Sequence, residues 1–117
     1  MIKDENPVFT FNNEEISITG RAIPELASLA WCGFLHDLKE YLKKVERLTI
    51  NFKLDYFNSA SSRYITDMFS ILSDNARNCK ATVNWYYFDG DDTTMENGEI
   101  YKERNLKIKV NIIKRND

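Results

Sequence analysis

The sequence predicts an α/β fold, a small mixed β-sheet in the order β-β-α-β-α-β-α-β with the main helices packed on one side. Three observations carry that prediction. Apolar residues alternate with period two in five short stretches. Between them they recur with a helical period, and turn or capping residues stand where the period changes. The 117 residues fit one domain, spanning 1–117, with one core.

Pro7–Phe11 and Glu15–Thr19 alternate and are joined by Asn12-Asn13, which tolerates the left-handed geometry of a tight hairpin. Gly20 to Pro24 breaks this pattern, and proline is accepted in the first turn of a helix. From Glu25 the period becomes helical. Leu26, Leu29, Ala30, Gly33, Phe34, Leu38, Tyr41 and Leu42 share one side, and the small residues Ala30 and Gly33 predict close approach to a sheet.

Arg47–Leu54 alternates strongly and reads as a central strand. The run Asn58-Ser59-Ala60-Ser61-Ser62 follows, then a helix with Ile65, Met68, Phe69, Leu72 and Ala76 on one face. Ala81–Phe88 is a second central strand in which at least one of Trp85 and Tyr87 is a core residue. Asp89-Gly90-Asp91-Asp92 forms a turn. Thr93 to Glu96 has capping-box spacing and predicts a helix, weak and short because of Gly98. Leu106–Ile112 closes the sheet, with Leu106, Ile108, Val110 and Ile112 facing in. Two strand–helix–strand units predict parallel neighbours, and the opening hairpin adds an antiparallel pair.

Composition excludes several classes. The formal net charge of −2 gives no general attraction to nucleic acid or anionic lipid. The aromatics Trp31, Tyr56, Trp85, Tyr86, Tyr87 and Tyr101 are not interleaved with a basic stripe. No apolar run approaches the roughly 18 residues of a membrane span, and the first residues lack the apolar core of a secretory signal. Cys32 and Cys79 have no metal-binding or CxxC spacing. These features fit a cytoplasmic protein with no membrane or nucleic-acid partner and no cofactor.

The inventory for catalysis is thin. His36 is the single histidine, and a nucleophilic serine needs a base and an orienting group. Asp89, Asp91 and Asp92 supply three carboxylates, but Thr94 and Ile100 stand where a calcium loop needs glycine and glutamate. A small metal-dependent enzyme using that turn is the weaker alternative to a binding protein.

The strand-to-helix junction holds the chemistry. A helix beginning at Asn58 or Ser59 directs free amide groups at the hydroxyls there. A phosphate on Ser59, Ser61 or Ser62 gains from those amides and from the helix dipole, with Arg63 and Lys53 as nearby cations. The bland alternative is a plain N-cap in a constitutive protein–protein adaptor. Its signature is identical partner binding with and without phosphate.

Four segments, ISITGRAIPE, NFKLDYFNSASSRYITDMF, VNWYYFDGDD and MENGEIY, in this order and spacing, resemble the SiaC family of small bacterial regulatory phosphoproteins. The resemblance runs from about Phe9 to Ile112. It implies a fold similar to STAS-domain anti-sigma-factor antagonists and a partner-switching role. A cognate serine/threonine kinase modifies such modules and a PP2C-type phosphatase reverses this. The unmodified form binds a diguanylate cyclase and promotes cyclic-di-GMP signalling and biofilm formation. The family's modified threonine, just after a Tyr-x-Asn, falls on Ser59, with Tyr56 and Asn58 before it. Serine replaces the threonine, and Ala60 stands where the family often has another hydroxyl, leaving Ser61 and Ser62 as secondary candidates. Asn58, Arg63, Tyr56 and Lys53 are the expected supports of the phosphosite or contacts to a partner.

Overall fold

The computed structural model describes residues 7–22, 24–57 and 59–115, with the backbone alone for 21–22, 24–27, 55–57 and 59–61. The elements run β1 (Val8–Asn12), β2 (Glu15–Ala22), α1 (Pro24–Tyr41), β3 (Arg47–Phe57), α2 (Ser59–Asp74), β4 (Lys80–Phe88), α3 (Asp92–Arg104) and β5 (Lys109–Arg115). This is the predicted order. Both β2 and β3 run about three residues past their predicted ends.

The sheet has five strands in the order β1-β2-β3-β4-β5. β1 and β2 are antiparallel, and the other neighbouring pairs are parallel. The hairpin turn is Asn13-Glu14, one residue later than predicted, because Asn12 still pairs with Glu15; Asn13 takes φ 54°.

Strand alternation divides the sheet into two unlike faces. Ile16, Ile50 and Val83 are register neighbours on one face, followed by Ile18, Phe52 and Trp85 one pleat further on, all buried. Trp31 and Leu38 of α1, Met68 and Leu72 of α2, and Tyr101 of α3 join the same core. All three helices therefore cover one face, the STAS-like arrangement that the resemblance implies.

On the uncovered face a chain of carboxamides crosses the strands. Asn111 Nδ2 donates to Asn84 Oδ1 at 3.0 Å, Asn84 Nδ2 to Asn51 Oδ1 at 3.0 Å, and Asn51 Nδ2 to Glu15 Oε1 at 2.7 Å. Asn84 stands in the middle, donating and accepting. Asn84→Ala is expected to lower stability by about 1–2 kcal/mol, since it leaves Asn51 and Asn111 each short of a partner. The shift of the urea midpoint measures this, and an unchanged midpoint would show the chain contributes nothing.

Three expectations need correction. The buried stripe of α1 is Trp31, Phe34, Leu38 and Leu42, whereas Leu29 is 85% exposed. Gly33 is exposed, and a Cβ there would meet nothing within 4 Å. The indole of Trp31, stacked on Tyr64 and edge-on to Phe9, sets the helix rotation and turns Leu29 and Gly33 to solvent.

The second correction concerns α3, which starts earlier and runs longer than predicted. The Asp91 carboxylate accepts from Thr94 N at 3.1 Å and from Thr94 Oγ1 at 2.7 Å, so Asp91, not Thr93, is the N-cap of a 13-residue helix. Gly98 does not shorten it, because the glycine is where the Trp85 indole packs against the helix.

The third is Leu106, which is 88% exposed. Ile108 N bonds back to Asn105 O, so the chain is still turning there and becomes a strand only at Lys109. Ile108 and Val110 are the buried residues of that segment.

Candidate functional site

The four parallel strands β2 to β5 end at the same edge of the sheet, and all three helices start there. Ala22 gives way to Pro24, Phe57 to Ser59, and Phe88 to Asp92. Strand carboxyl ends in open α/β sheets are the usual place for ligands and partners. The positive ends of the helix dipoles also face this edge.

The helix starts are not equivalent. α3 is closed by the Asp91 carboxylate and has Asp92 in its first turn. α2 has no acid in its first turn, and Arg63 follows as its fifth residue. Its N-terminal field is thus uncompensated by any carboxylate of its own first turn.

Ser59 is the first residue of α2. The side chains of Ser59, Ser61 and Tyr56, and the whole of Asn58, lie outside the described residues. Of the other sequence candidates, Ser62 is half-buried. Arg63 is exposed, its Cζ 5.5 Å from the Tyr64 ring centroid. Lys53 lies on the uncovered sheet face, with Nζ 4.8 Å from the Tyr86 ring centroid, across the sheet from the helices.

One residue that sequence reasoning missed secures this turn. Tyr101 OH lies 3.4 Å from Ser62 O, to which it donates, and 3.4 Å from Thr66 Oγ1. Its ring stacks on Phe69 with centroids 4.9 Å apart. Helix α3 is therefore tied to the first turns of α2. Gly98 and Tyr101 are three apart and share one face of α3.

Support for metal or nucleophile chemistry is weak. Asp91 is engaged as a cap, and Asp89 and Asp92 are exposed. Among the described residues no group of three His, Cys, Asp or Glu side chains is arranged to hold a metal ion. His36 is exposed on α1. Among the described residues no helix is long and apolar enough to cross a membrane.

The two thiols differ. Cys32 is exposed, and Cys79 is buried, its desolvation pushing the thiol pKa up with a smaller contribution from Glu14. A pKa raised in the fold means the neutral thiol is favoured there. That contribution to stability is fully present below the ordinary thiol pKa and is lost as pH rises from there through the raised pKa of the folded state. Iodoacetamide at neutral pH is expected to alkylate Cys32 in the folded protein and Cys79 only in denaturant. Comparable labelling of both in the native state would contradict the burial.

The family model described as "SiaC family regulatory phosphoprotein" matches residues 4–115. Among curated proteins, no sequence match is found. Three solved chains, all from Pseudomonas aeruginosa, share the fold. One, from the crystal structure of diguanylate cyclase SiaD in complex with its activator SiaC, is 16% identical with a TM-score of 0.84, covering 97% of this chain and 96% of its own. Apo-SiaC is 16% identical with a TM-score of 0.80, over 95% of this chain and 93% of its own. A further SiaC structure is 15% identical with a TM-score of 0.81, over 98% and 96%.

Proposed function

We propose a partner-switching function from a plain premise: this chain belongs to the SiaC family of regulatory phosphoproteins, whose model spans residues 4–115 of it. The protein carries a reversible phosphate at the β3–α2 junction and docks on an output protein in its unmodified form. Ser59 is the acceptor, with Ser61 and Ser62 secondary. A serine/threonine kinase adds the phosphate and a PP2C-type phosphatase removes it, in the cytoplasm. The output protein is a diguanylate cyclase, the class of enzyme that the similar P. aeruginosa activator binds, and the consequence is control of cyclic-di-GMP signalling and biofilm formation.

The observation that carries this reading is the first turn of α2, without an acid and followed by Arg63, whereas the start of α3 is capped by Asp91. A phosphoryl group adds about 1.5 to 2 negative charges and three acceptor oxygens. At an acid-free helix start those charges meet free amides, the dipole and a cation.

Incubation with the cognate kinase and ATP, followed by mass-spectrometric mapping, tests the site. One phosphate on Ser59, absent in Ser59→Ala and removed by the phosphatase, is the expected result. Stoichiometric modification outside residues 59–62 would overturn it.

A further inference from the structure

The helix-free face of the sheet has a charge the whole chain does not. Its described side chains include Arg47 and Lys53 on β3, Lys80 on β4, and Lys109 and Arg115 on β5, against the single carboxylate of Glu15 on β2. The protein as a whole has a formal net charge of −2. A solvated sheet face needs polar residues, but solubility alone does not call for one sign.

Two features resist a structural explanation. Arg47 and Lys80 are direct register partners, and like charges opposite each other on neighbouring strands are unfavourable. No carboxylate among the described residues pairs with either. Lysine on an edge strand guards against stray strand pairing, which accounts for Lys109. It does not account for Arg47, Lys53 and Lys80, which lie on the interior strands β3 and β4.

We infer that this open face is a docking surface for an acidic segment of a partner protein. The cations sit at two ends of the face. Arg47 and Lys80 lie at the strand starts, beside a groove of about 390 Å³ that they line with Arg77, Glu46 and Asn78. Lys53 and Arg115 lie toward the strand ends, six residues further along β3, or ~20 Å at the usual strand rise. Between them the carboxamide chain offers polar groups already held in place.

The aromatic rings decide between partner classes. Lys53 Nζ sits 4.8 Å from the Tyr86 centroid and Arg115 Cζ 4.2 Å from that of Phe88, so each ring carries a cation where a base would stack. Carboxylates, which need the cations and not the rings, are favoured over a single-stranded nucleic acid. This surface is separate from the start of α2 and does not depend on the phosphorylation reading.

The test titrates isotopically labelled protein with an oligoglutamate peptide at about 0.15 M ionic strength, with oligothymidylate in parallel. The expected result is perturbation of the side-chain amides of Asn51, Asn84 and Asn111 and of the backbone of Arg47 and Lys80. The double substitution Arg47→Glu with Lys80→Glu is expected to weaken the peptide at least tenfold. Arg104→Glu, on the last turn of α3, leaves it unchanged. The single Arg47→Glu, which places opposite charges in register, is expected to melt no lower than the parent and to weaken binding, which separates lost docking from lost folding. Absence of peptide binding, perturbation confined to the helices, equal weakening by Arg104→Glu, or tighter binding of oligothymidylate would each overturn the assignment.

Discussion

Trp85→Ala is expected to destabilise the protein by about 3–5 kcal/mol, a large part of the about 5–15 kcal/mol that holds a typical domain. Trp85 is fully buried and stacks on its register partner Phe52, with ring centroids 4.3 Å apart and planes 3° from parallel. Its centroid is 5.5 Å from that of Tyr101, and Nε1 donates to Thr94 O at 2.8 Å. Removing the indole opens a cavity between β3, β4 and α3 and leaves the Thr94 carbonyl without that donor.

The complementary change is Gly98→Ala. A Cβ there would lie 2.6 Å from Trp85 Nε1, closer still to Trp85 Cδ1, and 2.9 Å from Ile112 Cδ1. Helix propensity favours alanine by about 1 kcal/mol, but overpacking a full core costs about 1–3 kcal/mol. The net effect is a loss, and Gly98→Val loses more. Urea denaturation followed by circular dichroism measures each variant. In a Trp85→Phe background Gly98→Ala is expected to cost less, because the indole Nε1 is gone and the smaller ring can shift, while Ile112 Cδ1 remains. Equal costs in both backgrounds would refute the close approach.

Phosphate on Ser59, the acceptor in the proposed switch, is expected to weaken the cyclase contact at least tenfold, or about 1.4 kcal/mol. Ser59→Ala is expected to bind as the unmodified protein does and to stay bound when kinase and ATP are added. Ser59→Asp supplies one charge where phosphate supplies nearly two, so its effect is smaller. Calorimetry with the stoichiometrically phosphorylated protein is the measurement. Equal affinity of the two forms would favour the constitutive adaptor. Loss of Tyr101's hydroxyl, which meets Ser62 O and Thr66 Oγ1, changes how α2's first turns are held without touching the acceptor.

Much of the fold was legible because it is local. The hairpin, to within one residue of its turn, the alternation of Leu48, Ile50, Phe52 and Leu54, and the hydroxyl run before α2 each lie within a few residues, where the period alone separates strand from helix. The family pattern was equally legible, as four segments in fixed order. The charge of the open face escaped notice because its cations are scattered along the chain from Arg47 to Arg115 and meet only when the strands align.

Side-chain period and backbone preference encode the order of elements, the apolar side of the central strands β3 and β4, and the place where a hydroxyl meets a helix start. Tertiary structure alone decided the rotation of α1, the identity of the glycine that admits a large neighbour, and the tie from Tyr101 to Ser62. Gly33 and Gly98 look alike in a helical pattern; shape separates them, because only Gly98 has an indole pressed against it. Such fits depend on volumes brought together from distant parts of the chain, and no local period encodes them.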